Sequence, residues 1–467
     1  MSASFPIDTG RTESASGSPR ELRAVFAAGD APVPRRIFLD CTATAQEGLN
    51  TGIPRVVRNL VNLAPAVATG LGVTCQPVRH DPKCGFVPQG GLEIPQEQRC
   101  VGDRSGGWRR RGRSLLGHVG LLPLLRGVRS LYRRGRDWRS SLDQPPVAGG
   151  IAFGPGDLLI LLDRSWDETF AWSAVARVRA QGAQVAAVVY DLAPLRHPRY
   201  FPDTVVRSFR RWWQRIQRET DFTLAISQSV ATEVSEEADR SSTGRGTPWP
   251  ARWFRLGADL DGATHTQPPR PELSAIFSAK QSHPFVLMVG TLTSRKNHAT
   301  ALDACEALWA TGVDVRLVIA GGDCWDAGRL VARLESHPER HRRLWWFPDL
   351  SDSELEHCYR HAAALVTPSF AEGFNLPIVE ALSRGCPVLA SDLPVHREVA
   401  GAWGAYFAAD SASELTSLLR IRLAAANQGA ERVSDYTWPT WRESARSLLE
   451  AAQQGAAAPE TAPRAAA

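Results

Sequence analysis

The sequence predicts an α/β fold in which two domains, each built on a parallel sheet, face one another across a cleft. The chain has 467 residues, more than one compact core usually holds, so two domains are expected. Short apolar runs alternate with helical patterns in both halves, as they do where crossover helices join parallel strands. A proline-rich connector, "THTQPPRPELS", separates the two sets of elements.

The N-terminal domain is predicted over 35–265. It follows an arm at 1–34 whose Ser, Gly, Pro and Ala content predicts disorder. A helix is predicted over 55–64. Buried strands are predicted in five apolar runs: "RIFLDCTA", "GDLLILLD", "AQVAAVVYD", "DFTLAIS" and "RWFRLGADLDG".

The C-terminal domain is predicted over 275–430. One of its helices ends at Gly312, another lies near 326–336, and Ser351 with Glu354 forms a capping box that opens a third. Strands are predicted in the runs "PFVLMVG", "VRLVIAGG", "LWWFP", "ALVTPS" and "CPVLASD".

A helical segment at 431–453 and a low-complexity tail at 454–467 follow the second domain. In open parallel sheets ligands bind beyond the carboxyl ends of the strands. Both sheets are therefore expected to turn that edge toward the cleft.

The bulk composition predicts a globular cytoplasmic protein. The chain is 43% hydrophobic and 22% charged. Its eight cysteines form no CxxC pair, which is typical of reduced thiols in the cytosol. The N-terminus lacks the apolar region of a secretory signal, and no apolar run reaches the about 18 residues of a spanning helix.

The stretch "FAEGFNLPIVEA" places Glu372 and Glu380 eight positions apart. A loop at 370–377 is predicted to link a strand to a helix that begins near Ile378, where backbone N–H groups and the helix dipole favour an anion. Gly373 permits close backbone approach. Glu372, which lies in the loop, would then contact a sugar. Glu380, in the first helical turn, would bind a ribose diol. The alternative is a solvated loop glutamate followed by one that the dipole favours.

The pattern P-S-x-x-E-G-F-x-L-P-x-x-E-A resembles the E-x7-E signature of glycosyltransferase family 4. The resemblance implies retaining enzymes of the GT-B fold, with two Rossmann-like domains. It implies that Glu372 orients the donor sugar and that Glu380 binds the ribose. The loop residues that it assigns to donor binding are Gly373, Phe374, Asn375 and Leu376.

The family also carries a basic pair after the first strand of the same domain, and "VGTLTSRKNH" supplies one. The resemblance implies that Arg295 and Lys296 hold the donor diphosphate, with Gly290 beside them. Such a leaving group gains negative charge as the glycosidic bond breaks, and preorganised cations in a dry cleft stabilise that charge. The alternative is a solvated basic loop.

The N-terminal half resembles the family in two loops. "NTGIPRVV" looks like the glycine loop after the first strand, with Gly52 near the donor phosphate and Arg55 on the acceptor side. "YDLAPLRHPRYFP" looks like a loop of bacterial polysaccharide members, with Asp191 on the acceptor side. Many relatives carry a cleft histidine where this chain has Tyr190. His197 either replaces it as a catalytic group or lies in a surface loop.

Asp259 and Asp261 form a D-x-D, which we interpret as structural. Two carboxylates alone fall short of a coordination shell for a hard cation. The resemblance also implies a metal-independent enzyme without a cofactor, in which Arg295 and Lys296 neutralise the charge.

An insertion at 101–145 makes the chain basic. Residues 101–140 hold eleven arginines and two aspartates, a local charge of +9, so the rest of the chain carries −4. The segment 107–140 mixes arginine with apolar residues, which predicts peripheral binding to an anionic membrane surface at the inner face of the cytoplasmic membrane. The alternatives are an insertion with solvated arginines and nucleic-acid binding, which no motif supports, so no nucleic acid is expected.

Taken with the resemblance, these motifs lead to one hypothesis: a hexosyltransferase of surface polysaccharide biosynthesis, such as that of lipopolysaccharide. The expected donor is a nucleotide sugar, with GDP-mannose as the choice, and the expected acceptor is a lipid-linked glycan. Two alternatives remain open, a hydrolysing sugar-nucleotide epimerase and a non-catalytic scaffold that docks on membranes.

Overall fold

A computed structural model describes residues 34–47, 52–93, 149–167, 169–241, 249–259, 268–278, 283–324, 326–427 and 432–457. The predicted N-terminal arm up to residue 33, the basic insertion at 101–145 with its membrane-binding segment 107–140, and the end of the predicted tail from residue 458 lie outside the described residues.

The N-terminal domain is built on a sheet that has seven strands within the described ranges, in the order β3-β2-β1-β4-β5-β6-β7. All neighbours pair in parallel except β2 and β3, which form an antiparallel hairpin. The strands are β1 Arg36–Asp40, β2 Thr74–Asp81, β3 Gly85–Pro88, β4 Asp157–Leu161, β5 Gln184–Val189, β6 Phe222–Ala225 and β7 Ala251–Trp253.

Helices cover both faces of this sheet, so its central strands are buried on both sides, as their continuous apolar runs predict. The helix predicted over 55–64 runs from Ile53 to Ala68 with Pro54 in its first turn, where a missing N–H costs nothing. The helices are α1 Thr42–Glu47, α2 Ile53–Ala68, α3 Trp172–Ala180, α4 Ala193–Arg196, α5 Asp203–Glu219 and α6 Gln228–Ser241.

The C-terminal domain is built on a parallel sheet that has six strands in the described part of the chain, in the order β10-β9-β8-β11-β12-β13. Strand order reverses between β8 and β11, as it does between β1 and β4 in the first sheet, and ligands bind at such points. The strands are β8 Phe285–Val289, β9 Arg316–Ala320, β10 Leu344–Phe347, β11 Ala364–Thr367, β12 Val388–Ser391 and β13 Gly404–Phe407.

The C-terminal helices include the predicted capping box, which is confirmed: Ser351 accepts the backbone N–H of Glu354, whose side chain accepts that of Ser351. The helix predicted to end at Gly312 ends at Ala310, and Gly312 adopts φ 79° two residues later. The helices are α7 Pro271–Ser278, α8 His298–Ala310, α9 Gly328–Ser336, α10 Asp352–His361, α11 Leu376–Leu382, α12 Pro394–Ala400, α13 Ala412–Asn427 and α14 Trp441–Ala456.

Helix α14 returns from the C-terminal domain to the N-terminal one. Its first residue, Trp441, donates its ring N–H to the Asp259 carbonyl at 2.9 Å. Near its end, Gln184 of β5 donates to the Ala456 carbonyl at 3.2 Å. The helix that ties the two domains together therefore begins inside the segment predicted as helical at 431–453 and extends three residues beyond it.

The strand predicted in "RWFRLGADLDG" is wrong beyond its first residues, because β7 ends at Trp253. Within the described ranges, none of the helices combines the length and the apolar character that a membrane-crossing helix needs.

Candidate active site

The carboxyl ends of the two sheets face each other, and the loops that follow β5, β8 and β11 meet there. Asp191 follows β5, Arg295 and Lys296 follow β8, and Glu372 follows β11. The three loops are in contact: the Phe370 N–H donates to the Arg295 carbonyl at 2.9 Å, and a Cβ built on Gly373 would lie 3.1 Å from Asp191 Cβ. The structure thus brings together four residues that sequence analysis assigned to the two sides of one cleft.

The carboxylate of Glu372 lies between the two cations. Arg295 Nη1 is 2.9 Å from Oε2, and Lys296 Nζ is 2.6 Å from Oε1. The Ser369 hydroxyl also donates to Oε1 at 2.7 Å. Arg295 donates a further hydrogen bond to the carbonyl of Ala371, so its guanidinium is fixed against the same loop. The basic pair is therefore ordered by the loop that it faces.

The charges in this cluster determine which groups are ionised. Burial favours the neutral acid at Glu372, but the charges of Lys296 and Arg295 outweigh it and hold the Glu372 pKa well below its ordinary range. Burial lowers the pKa of Lys296, and Glu372 opposes that shift. Within this triad an ionised carboxylate lies between two cations, and the carboxylate of Asp191 nearby offsets the remaining positive charge. An anionic ligand is therefore attracted by the local charges of Arg295 and Lys296 and not by a net charge of the cluster.

Gly290 makes room for the lysine of this pair. It has φ 142°, in the region that favours glycine, and a Cβ built on it would lie 3.4 Å from Lys296 Cε. Lys296 itself ends a short 3-10 turn, Ser294–Lys296, in which the Thr293 side chain accepts the Lys296 N–H. The predicted position of Gly290 beside the basic pair agrees with this packing, and its contact with a donor stays a prediction.

Gly373 lies at a close contact between the two domains. A Cβ on Gly373 would lie 1.8 Å from the carbonyl oxygen of Tyr190, so a larger residue does not fit in this arrangement. The hydroxyl of Ser227 donates to the Gly373 carbonyl at 2.8 Å. Gly373 was predicted to permit close backbone approach, and in the structure it does so toward the other domain. Its contact with a donor stays a prediction.

A further link between the domains comes from Glu398 in α12. Its carboxylate accepts the backbone N–H groups of Gln228 and Ser229, each at 2.8 Å, at the start of α6. An acidic group is favoured there because the helix N-terminus carries unpaired N–H groups and partial positive charge. No sequence pattern indicated this contact.

Glu380 lies in the second turn of α11, which begins at Leu376, so its predicted place in the first turn is wrong. It is 2% exposed, and each carboxylate oxygen has a protein partner. Arg55 Nη1 is 2.8 Å from Oε1, and the Tyr359 hydroxyl donates to Oε2 at 2.7 Å. Arg55, predicted on the acceptor side, pairs across the domains with Glu380, predicted to bind the ribose. Both of these roles stay predictions.

The other loop residues predicted to bind the donor shape the loop itself. Phe374 is 4% exposed and packs edge-on against Trp438. Asn375 adopts φ 77° and donates to the Thr367 hydroxyl at 2.7 Å. Leu376 is the first residue of α11. Their contact with a donor stays a prediction.

His197 is half-buried at the end of the loop after β5. Burial lowers its pKa, as do the charges of Arg196, Arg199 and Arg295. Its ring centroid lies 6.5 Å from that of Tyr200, which stacks at 5.0 Å on Phe370 of the other domain. A catalytic role for His197 stays a prediction. In the same domain as His197, Gly52 precedes α2 with φ 54°, a conformation that glycine adopts easily. Its contact with a donor phosphate stays a prediction.

Four contacts described above escaped the sequence analysis, those of Ser369, Ser227, Tyr359 and Glu398. Ser369 lies inside the recognised pattern, so its place next to Glu372 was available as a signal. Asp259 of the D-x-D accepts the Trp441 N–H at 2.8 Å, a structural contact. Asp261 lies outside the described residues.

Residues 269–433 match the family model of glycosyl transferases group 1. The serotype-specific mannosyltransferase WbdA of Escherichia coli is 34% identical over 306 residues, which cover 64% of this chain and 37% of WbdA. The O-antigen chain mannosyltransferase RfbU of Salmonella typhimurium is 27% identical over 214 residues, which cover 45% of this chain and 53% of RfbU. The chain thus matches about a third of the length of WbdA.

A solved structure of sucrose-phosphate synthase from Thermosynechococcus elongatus has a TM-score of 0.50 at 16% identity. The likeness covers 91% of this chain and 95% of the synthase. At this identity the likeness concerns the fold alone, and it extends over both domains. The chain therefore contains a glycosyl transferases group 1 domain, built into a GT-B fold of two Rossmann-like domains, and it resembles bacterial polysaccharide mannosyltransferases.

Proposed function

We propose that the protein is a retaining, metal-independent glycosyltransferase of surface polysaccharide biosynthesis. It transfers mannose from GDP-mannose to a lipid-linked glycan and needs no cofactor. The observation that carries this proposal is the Glu372 carboxylate held between Arg295 and Lys296 at the edge where both sheets end. The similarity to two mannosyltransferases supports the choice of sugar.

In this proposal Arg295 and Lys296 bind the donor diphosphate. The bond between the anomeric carbon and the diphosphate oxygen breaks, and the diphosphate leaves with the bonding electrons. Glu372, which accepts a hydrogen bond from Ser369, already holds both cations in place. They can therefore stabilise the negative charge that develops on the diphosphate without reorganising during the reaction. Glu372 orients the sugar through its carboxylate.

The acceptor hydroxyl attacks the anomeric carbon from the face that the diphosphate leaves, so the configuration is retained. Its proton passes to an oxygen of the leaving phosphate, and no carboxylate forms a covalent bond to the sugar. The contact between Gly373 and the Tyr190 carbonyl supports a closed cleft during this step. Closure excludes water and aligns the acceptor with the donor.

The test is a transfer assay with GDP-mannose, a detergent-solubilised lipid-linked mannoside acceptor and EDTA. We expect transfer in EDTA and a product whose anomeric proton and carbon signals in NMR show the α configuration of the donor. Arg295→Ala is expected to lower kcat/KM for the donor about a hundredfold. The matched control is Arg342→Ala, which removes an arginine of the same domain whose side chain is 71% exposed.

A β-configured product would overturn retention, and loss of transfer in EDTA would overturn metal independence. Absence of turnover with GDP-, UDP-, TDP- and CDP-sugars alike would overturn the transferase itself.

A further inference from the structure

A second cavity lies at the carboxyl end of the N-terminal sheet, beside the cleft. Its volume is about 250 Å³, and we call it the Asp40 pocket. It opens where β1 and β4 end, next to the β2–β3 hairpin. The residues of its wall that matter below are Asp40, His80, Phe86, Asp163, Arg164 and Phe170.

Asp40 is the last residue of β1 and is 1% exposed. Its Oδ1 accepts hydrogen bonds from the backbone N–H and the hydroxyl of Thr42. Its Oδ2 is buried and has no hydrogen-bond partner among the residues that the structure describes. A buried acidic oxygen without a partner is costly, and such groups concentrate where a ligand completes the site.

Asp163 provides a second buried carboxylate on the neighbouring strand. It is 2% exposed and lies two residues beyond Leu161, which pairs with Asp40 in the sheet. The Thr44 N–H donates to its Oδ2 at 2.6 Å and the Arg164 N–H to its Oδ1 at 2.8 Å. Backbone groups on both sides therefore fix this carboxylate in the wall of the pocket.

The wall of the pocket is more acidic than the donor site. Among its described residues, Asp40, Asp163 and Asp167 stand against one arginine, Arg164, and burial and the charge of Arg177 lower the pKa of His80. Burial raises the pKa of Asp40 to about 7, so this group both donates and accepts hydrogen bonds near neutrality. The pocket therefore disfavours a phosphate and suits a neutral polar ligand.

The shape and position of the pocket narrow the ligand further. The aromatic rings of Phe86 and Phe170 form the apolar part of the wall. The volume of the pocket is smaller than that of a site for a drug-sized molecule, which is about 300 Å³ or more, so the pocket has room for one small ring. The Tyr190 hydroxyl donates to the Leu162 carbonyl at 2.8 Å, one residue before Asp163. The Tyr190 carbonyl meets Gly373, so the pocket is connected to the donor site through one residue.

We infer that the Asp40 pocket binds one neutral pyranose ring of the acceptor glycan, with Asp40 and Asp163 receiving its vicinal hydroxyls. Hydroxyl pairs donate well to carboxylate oxygens, and the carbon face of the ring packs on the aromatic wall. The inference rests on the proposed function. It places the acceptor sugar at the end of β4, next to β5, and the loop that follows β5 carries Asp191.

Saturation-transfer NMR with the methyl α-pyranosides of mannose, glucose and galactose tests this inference. We expect wild-type protein with bound GDP to transfer saturation to one of them, and Asp40→Asn and Asp163→Asn to bind it about tenfold or more weakly. The matched control is Asp157→Asn, a buried carboxylate at the opposite end of the same strand β4, which is expected to bind the sugar as wild type does.

Calorimetric titration with GDP and thermal unfolding of each variant separate the possible failures. Retained GDP binding with no pyranoside binding by wild type overturns the inference and leaves the proposed function standing. Equal sugar binding by wild type, Asp40→Asn and Asp163→Asn within twofold also overturns it. If wild type binds no nucleotide, the proposed function fails, and the inference fails with it.

Discussion

The carboxylate of Glu372 is the group on which the proposed chemistry most depends. It forms ion pairs with Arg295 and Lys296. In the proposed mechanism it also orients the donor sugar. Glu372→Gln keeps the size of the side chain but removes the charge that balances two cations. We expect kcat to fall by about a hundredfold or more, with nucleotide binding retained, in steady-state transfer assays.

The control for that substitution is Glu339→Gln, which removes a carboxylate of the same domain that pairs with Arg343. It is expected to keep kcat within about twofold, because Glu339 precedes β10 and so lies at the edge of the sheet opposite to the donor site. Near-wild-type turnover of Glu372→Gln would contradict the role of this residue in the proposed transfer.

Asp40 makes the stability of the protein depend on pH. Its folded pKa of about 7 lies above the ordinary value of 3.8. Below the ordinary value both the folded and unfolded forms are protonated, so burial carries no charge penalty. As pH rises toward the folded pKa, only the unfolded form releases the proton, and stability falls. Asp163 is the charged neighbour that adds to this shift, and His80, Arg164 and Asp167 line the same cavity.

Asp40→Asn is therefore expected to raise the melting temperature by several degrees at about pH 8 and to leave it unchanged at about pH 4. Differential scanning fluorimetry across this range measures the effect. A melting temperature that is lower than that of wild type at both pH values would show that the Asp40 carboxylate stabilises the fold, which is the opposite of the expected burial cost.

At the scale of the elements, α2 and α11 are joined across the cleft by Arg55 and Glu380. Both side chains are buried, so removing one partner leaves an uncompensated charge. Arg55→Met is expected to lower the free energy of unfolding by about 3 kcal/mol in chemical denaturation. Small-angle scattering is expected to show a larger radius of gyration, because the two domains lose a contact.

Adding Glu380→Gln to Arg55→Met is the matched control. The amide still accepts the hydrogen bond from the Tyr359 hydroxyl, and the buried charge is gone. Part of the lost stability should return. The single variant Glu380→Gln is measured as well. If the losses in free energy of unfolding of the two single variants simply add in the double variant, the two residues do not act as a pair.

The loop before α11 makes the other prediction at this scale. Gly373→Ala places a methyl group against the Tyr190 carbonyl, where a Cβ would lie 1.8 Å from the oxygen. The two loops must separate, so we expect a fall in kcat of about tenfold or more with little change in nucleotide affinity. The reference substitution is Gly328→Ala, since a Cβ on that glycine meets nothing within 4 Å. Unchanged turnover of Gly373→Ala would contradict the closed cleft.

At the scale of the whole molecule, α14 follows the C-terminal domain in sequence but packs in the N-terminal domain and stabilises it. It packs on α2, β6 and β7, and Leu448 within it is completely buried. Leu448→Ala is expected to cost about 2–5 kcal/mol in urea denaturation. The control is Ile421→Ala in α13, where the side chain is 68% exposed and little change is expected. Equal effects of both substitutions would contradict this role of α14.

The sequence predicted the alternation of strands and helices well, because most strands are buried on both faces and read as continuous apolar runs. It missed β2, β3 and β13 for physical reasons. β13 has four residues, begins with Gly404 and is mostly only partly buried, so it does not read as an apolar run. β2 contains Pro77, and several of its other residues are polar and partly exposed, so its apolar pattern is weak. The hairpin with β3 depends on pairing and not on hydrophobic periodicity.

The donor-site residues were predictable because each lies in a short motif at the carboxyl end of a strand. The partners that complete the site were not. Arg55 and Glu380 are 325 positions apart, and Asp40 and Asp163 come from strands that only the sheet brings together. Spacing along the chain does not encode such contacts, so the pairing of Glu380 and the Asp40 pocket required the three-dimensional structure.

The most direct test of the central claim is calorimetric titration of the protein with GDP, UDP, TDP and CDP in EDTA, for wild type and Arg295→Ala. We predict that wild type binds GDP in preference to the other nucleotides and that Arg295→Ala weakens this binding about tenfold or more. Binding of none of the four nucleotides by wild type, or equal GDP affinity of both proteins, would contradict a donor site built on Arg295, Lys296 and Glu372.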